Sequence, residues 1–372
     1  ALFQEYCEIV IKREKQKEML PSLYDEYDWI MKLHAQIGFQ LQAESETAEN
    51  AAAELSAVRC KQLIVQFLQD EGFEGESLAK SEDFYFAMTT RLSFLSEVSG
   101  SDQEACVLFP LRSIQEYFAA EWLISFDNED KLSEALEHIS VSAYWRNVYL
   151  FVAGYFTKHR SRKNMNETLF RICQRNNGDE NHESANAAAY RIAMPGSRLA
   201  LDLLCDNLFN HPADQHRYLN IVSKLLDEDY SASCLNASLI TQRLPPKIAD
   251  IFLEEKVIPH IQKAKSAEGI AFEILWIMAN NQNAKAYTQL EDLINDVAVP
   301  KSNTISRLLS DGFEKVGEKA LHVLYRWITE EHFVVFCSSY SRHDRYWGFL
   351  SFFFAHSSGT EFSLTVLRQA VY

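Results

Sequence analysis

Turn-forming residues are scarce in this chain: 12 glycines and 8 prolines are spread through 372 residues. So few breakers exclude a fold of many short strands and favour long helices. Positive charge is short as well, with 36 Lys and Arg against 52 Asp and Glu and a net charge of −16. Non-specific nucleic-acid binding runs on clustered cations that neutralise phosphates, so this balance argues against it. The basic runs Lys12-Arg13-Glu14-Lys15 and Lys158-His159-Arg160-Ser161-Arg162-Lys163 are short and isolated. They read as solvated helix ends or loops, with a local anion contact as the other reading. No stretch approaches the roughly 20 apolar residues that cross a bilayer. The nearest, 346–355, is too short. Cys7, Cys60, Cys106, Cys173, Cys205, Cys234 and Cys337 lie far apart, with no C-x-x-C and no nearby histidine pair. That spacing excludes a disulfide framework and a zinc site; it points to buried thiols in a reducing, cytoplasmic compartment. The chain opens without Met and without a signal-peptide pattern, and Ala1 reads as lying within a helix, so the chain is expected to be cut from a longer one.

Motifs of catalysis are missing too. Without G-x-x-x-x-G-K-[ST], no loop of backbone N–H groups and lysine cradles a triphosphate. G-x-S-x-G, H-E-x-x-H and G-x-G-x-x-G are also absent. The acidic run Asp227-Glu228-Asp229 is what a solvated acidic surface produces, and the 11 histidines are dispersed. His322 reads as a packing or surface residue, and His343-Asp344 as part of a polar loop, a neighbour pair in sequence being weak grounds for a dyad. The chain is therefore not expected to be an enzyme; a site assembled from scattered residues is the remote reading.

What is present is helical periodicity. Leu2, Tyr6, Ile9 and Val10 mark a helix over 2–19, and Pro21 opens a second that runs to about 41 on Leu23, Tyr27, Ile30, Leu33, Ile37 and Leu41. A polar stretch over 44–50 separates a third, 51–70, with Gly72 as its stop. A helix over 81–90 precedes the one convincing hairpin, in which 92–98 and 105–109 flank a turn at 100–103. Helices followed by a hairpin is the order of a winged helix, here without a basic cluster for DNA. Ser113 and Glu116 form an S-x-x-E capping box, and Leu111, Ile114, Phe118 and Trp122 share the inward face of the helix it opens. Further helices are predicted over 131–138, 145–157, 199–209, 215–226, 248–256, 269–279, 286–297 and 315–327, with a loop over 174–184. The fold class is thus mainly α: a winged-helix-type regulatory domain with one small hairpin (1–126), then an irregular α-solenoid of HEAT-like helical repeats (127–372). Aromatic residues crowd the last quarter, where Arg342, Arg345, Tyr346 and Trp347 read either as part of the last helical layer or as a partner surface.

Phe109-Pro110-Leu111-Arg112-Ser113-Ile114-Gln115-Glu116-Tyr117-Phe118-Ala119-Ala120 resembles the F-x-H-x-S-F-Q-E-Y-F-A-A segment of NACHT-type signal-transducing NTPases, the NOD-like receptor class. Leu2-Phe3-Gln4-Glu5-Tyr6 with Lys12-Arg13-Glu14-Lys15 is similar to the "LYEEY … REK" segment that follows the nucleotide-binding core of bacterial members. Leu33-His34-Ala35-Gln36-Ile37-Gly38-Phe39 also fits that group, and Tyr144-Trp145-Arg146-Asn147 through Gly154 looks like the helix that follows their winged helix. The resemblance covers about residues 1–156. It implies a parent with an N-terminal effector, a nucleotide-binding domain, this winged helix and a C-terminal sensor. Bacterial members act in antiphage defence: a trigger binds the sensor, nucleotide exchanges, the protein oligomerises and the effector fires. By that resemblance this chain holds the regulatory and sensor parts only. It would carry no cofactor of its own, ATP or ADP with Mg belonging to the parent. Its partners would be a phage-derived protein trigger and the upstream nucleotide-binding domain, with no DNA and no membrane, and with oligomers only in the activated parent.

One position departs from the family. Its histidine, which senses the nucleotide phosphate, is Leu111 here. Leucine cannot donate to a phosphate, so either Arg112 takes the role or nucleotide-dependent locking differs. The reading from another class is a plain α-solenoid scaffold without nucleotide dependence.

Overall fold

The computed structural model describes residues 2–16, 27–47, 54–73, 75, 77–100, 104–159, 163–177, 193–227, 230–264, 270–281 and 283–296. The aromatic C-terminal quarter, with Arg342, Arg345, Tyr346, Trp347, His322, His343 and the helix predicted over 315–327, lies outside the described residues. Among the described residues the protein is mainly helical, with one small antiparallel sheet of three strands. The chain divides into two compact units, Ala1–Ile172 and Cys173–Tyr372. The boundary expected at 126/127 falls inside the first.

In the first unit, α1 (Leu2–Lys15) and α2 (Tyr27–Thr47) lead to β1 (Leu55–Ser56), then α3 (Ala57–Asp70) and α4 (Ser77–Phe86). A π-helical turn (Ala87–Arg91) extends α4 before β2 (Ser96–Ser99) and β3 (Ala105–Leu108). Then come α5 (Arg112–Ile124), α6 (Glu129–Ile139), a 3₁₀ turn (Ala143–Trp145), α7 (Arg146–Lys158) and the start of α8 (Lys163–Arg175). The strand order is β1-β3-β2, with Leu55 opposite Val107 and Glu97 opposite Val107 from the other side. Leu33, Ile37, Leu41, Ile64, Leu68, Phe84, Phe94, Leu95, Val107 and Phe118 meet in one core.

Several expectations are corrected here. The predicted third helix begins as a strand: Leu55 and Ser56 pair with β3, and the Ser56 hydroxyl then accepts from the Arg59 N–H, capping α3. A strand of two residues is too short to show alternation in sequence. The polar stretch read as a linker is helix as far as Thr47, because its polar side chains have partners described below. The run 92–95 is not strand: Phe94 and Leu95 are both buried, which breaks the alternation a half-buried strand needs. The π turn has a local cause. The Thr89 hydroxyl donates to the Tyr85 carbonyl (2.8 Å), and the following Leu92 N–H reaches back to Ala87 (2.9 Å). Gly72 does stop α3: its φ is +91°, and Gly72 and Phe73 N–H groups close onto Gln69 and Leu68 carbonyls, a Schellman motif.

The second unit continues with α9 (Pro195–Cys205), α10 (Pro212–Val222), a 3₁₀ turn (Ser223–Asp227), α11 (Tyr230–Arg243), α12 (Pro246–Phe252), a π turn (Leu253–Val257), α13 (Ile258–Ala264), α14 (Ile270–Asn280) and α15 (Ala284–Asp296). Prolines stand at the first turns of α9, α10 and α12, where a missing N–H is harmless. Helices α8 and α11 escaped the sequence reading: Ser, Asn and Thr dilute the apolar period of α11, and charged and amide residues dilute that of α8. Helix α14 is buried almost throughout, from Ile270 through Phe272, Ile274, Leu275 and Trp276 to Ala279, and all of these are apolar; its one charged residue, Glu273, is buried with them.

Candidate functional site

Residues four apart on a helix stand one above the other. Along α2, His34, Gly38, Gln42 and Glu46 make such a row, beside the apolar row of Leu33, Ile37 and Leu41. The row is polar or bare, yet three of its members are buried against α5. At Gly38 the two helices touch by backbone. A Cβ there would lie 2.8 Å from the Phe118 Cβ and 3.1 Å from the Ala119 nitrogen. Glycine costs about 1 kcal/mol in a helix interior; here the close approach requires it.

Gln42, fully buried, accepts from the Gln115 amide (2.9 Å) and donates to the Tyr144 carbonyl (3.1 Å). One turn on, the Glu46 carboxylate accepts from the Ser142 hydroxyl (2.7 Å) and the Trp145 indole N–H (2.6 Å), while Phe39 packs its ring on Trp145. These contacts continue α2 past residue 41. The corner between α6 and α7 is thus held by the end of α2 and, from the other side, by α5. Glu116 is 4% exposed and accepts from Asn147 Nδ2 (2.9 Å) and Arg112 Nε (3.1 Å). A buried carboxylate is tolerated when donors surround it in this way. The Arg112 guanidinium also lies over the Tyr144 ring, 4.4 Å from its centroid.

The capping box is therefore corrected. Helix α5 starts two residues early, at Arg112, with Leu111 rather than Ser113 as an N-cap that makes no side-chain bond. Ser113 falls inside the first turn, and Glu116 turns inward to Asn147 rather than back to Ser113. Leu111 is also not on the core face: it is 57% exposed, whereas Ile114 and Phe118 are buried.

Aromatic side chains complete the cluster. Phe109 packs on Phe118 (5.6 Å between centroids), and Phe3 of α1 stacks on Tyr117 (5.8 Å) and meets Phe151 of α7 edge-on (5.6 Å). The four segments that carry the family resemblance, in α1, α2, α5 and α7, therefore meet around α5. Burial, then the nearby Glu121, raises the Tyr117 hydroxyl well above its usual range, and burial raises Glu121. Burial likewise pushes the Cys7 and Cys60 thiols up to about 12, so neither is a ready nucleophile.

The predicted residues Arg112, Gln115, Glu116 and Tyr117 are thus brought together with Phe109 and Ser113 nearby. Sequence reasoning missed their partners Gln42, Glu46 and Asn147. The available signal was a polar row at four-residue spacing beside an apolar one. Chemically the cluster is a set of hydrogen-bonded donors and acceptors whose exposed members are Glu46, Asn147 and Arg112, the last 49% exposed along its side chain. Among the described residues no His, Cys, Asp and Glu side chains group as a metal site, and no helix is long and apolar enough to cross a membrane. No protein-family model, no curated protein and no solved structure matches the chain.

Proposed function

We propose that this chain is the regulatory and ligand-sensing region of a NACHT-type signalling NTPase. The observation that carries the reading is the meeting of all four resembling segments around α5, which gives residues far apart in sequence one shared structural task. The element order from α2 to β3, helix–strand–helix–helix–strand–strand with sheet order β1-β3-β2, supports a winged helix. In this reading Gln115 and Glu116 fasten the winged helix to the helices that follow, and the helices from α8 onward belong to an irregular solenoid that receives a protein trigger of phage origin, as in bacterial antiphage defence. Arg112 stands half exposed beside Leu111 at the N-terminal end of α5, where a helix favours negative charge. It is the candidate contact for the nucleotide phosphates of an upstream domain in the same protein, working in the cytoplasm with ATP or ADP and Mg.

Nucleotide binding tests this. The chain alone should bind no fluorescent ADP and hydrolyse no ATP. Joined to its nucleotide-binding region it should do both, and Arg112→Ala should weaken ADP retention about tenfold, the size of one lost charged hydrogen bond. Hydrolysis by the chain alone would end the regulatory reading. Absence of binding in the longer protein would favour a plain scaffold of helical repeats.

A further inference from the structure

An imidazole in an apolar core is held neutral, with one nitrogen donating and the other bare. His34 is wholly buried. Its Nδ1 lies 2.8 Å from the Ile30 carbonyl oxygen, which only accepts, so Nδ1 carries the hydrogen. Nε2 is then the bare nitrogen, and it has no hydrogen-bond partner among the described residues. Phe118 stacks on the ring (5.2 Å, 26°) and Phe94 meets its edge (5.4 Å, 83°). A proton arriving at Nε2 would find aromatic carbon and no acceptor.

Most ionisable groups on the packed elements are engaged elsewhere. On α5, Arg112 pairs with Glu116 and Tyr117 bonds Glu121; on the Phe94 segment, Glu97 accepts from the Tyr85 hydroxyl; on α2, Lys32 pairs with Glu71 and Glu46 holds Trp145. The proton affinity of the ring is set by burial, which lowers it, against the Ile30 bond, which raises it; the balance brings it from 6.5 down to about 4. Phe118, which covers the ring, is also the residue whose Cβ rests against Gly38 one turn along α2. The ring therefore cannot reach water while α5 stays seated.

We infer that His34 is a proton-sensitive lock on the α2–α5 crossing: the seat closes only on the neutral imidazole, and protonation unseats α5 from α2. Gln42 and Glu46 continue the same row, so unseating also loosens their hold on the 142–147 corner. This device is independent of the family reading and gives the first unit a response to acid.

Amide exchange on the full chain tests it, read as protection factors so that the intrinsic pH dependence of exchange is removed. Between about pH 7.5 and about pH 5, protection over 27–47 and 112–124 should fall on the order of 30-fold, the ratio that the two proton affinities give. His34→Phe keeps an aromatic ring without a titrating nitrogen and should show the same protection at both pH values. Unchanged protection in the parent sequence, or an equal loss in His34→Phe, overturns the proposal. Should His34→Phe fail to fold, a histidine NMR titration of the parent sequence decides. Persistence of the Nδ1–H tautomer below about pH 5 supports the lock, whereas ordinary titration near 6.5 in an intact fold overturns it.

Discussion

The α2–α5 crossing and helix α14 are both buried, and they are buried by opposite means. Helix α14 buries Ile270, Phe272, Ile274, Leu275 and Trp276 around a single carboxylate, Glu273, so most of its energy is spread over many interchangeable apolar contacts. The crossing adds to its apolar contacts a bare glycine and the Gln115–Gln42–Tyr144 chain, whose two hydrogen bonds have specific partners at specific distances. Apolar burial tolerates a change of shape at constant volume. A polar joint does not, because one lost atom leaves its partner unsatisfied in a dry place. The first unit thus has a joint that is specific and breakable; the second has a helix held mainly by apolar burial. A regulatory role needs the former.

Four substitutions and one change of condition sharpen that contrast. Phe272→Ala in α14 should cost the most, about 3–5 kcal/mol in denaturant unfolding, through loss of apolar surface and an unfilled cavity. Acid comes next and should act on the first unit. Above pH 6.5 His34 is neutral whether folded or unfolded, and its share of stability is fully present. As pH falls, the unfolded chain takes up a proton that the fold refuses, and stability drops until about pH 4, where the folded ring protonates too. The full loss is about 3 kcal/mol, seen as a falling denaturation midpoint that His34→Phe abolishes. Gln42→Leu, close in volume, should cost about 2 kcal/mol by stranding the Gln115 amide and the Tyr144 carbonyl. Its counterpart Leu275→Met in α14 should cost under about 1.5 kcal/mol. If the two costs came out reversed, the contrast between the regions would be lost. Trp145→Phe is the mildest, at about 1 kcal/mol; it removes the bond to Glu46 while keeping a ring against Phe39, and amide exchange should rise at 142–147 and not in α14.

Much of this was legible in sequence where one physical signal dominated. The apolar period of α2, α5 and α7 placed those helices, and Gly72 marked a stop because only a left-handed residue closes that motif. The motif residues Gln115, Glu116 and Tyr117 did converge. The signal failed where two forces competed. Glu44, Ser45 and Glu46 look like a linker, yet Gln40 donates to Glu44 (2.8 Å), the Ser45 hydroxyl to the Leu41 carbonyl (2.7 Å), and Trp145 to Glu46, so the helix continues. Ser113 and Glu116 have the spacing of a cap, but Asn147, a distant residue, offered the carboxylate a better partner. Strand β1 exists only because β3 is beside it. Trp145, Asn147 and β3 all lie far along the chain from the residues they decide, where local periodicity carries no information.

The most direct test of the joint is a double-mutant cycle between Gln42 and Gln115, each changed to Leu singly and together, in the full chain. The account predicts that the pair costs less than the sum of the singles by about 1–2 kcal/mol, because removing both amides leaves neither stranded. Additive costs would contradict it, and would mean that α5 is seated on α2 by apolar packing alone.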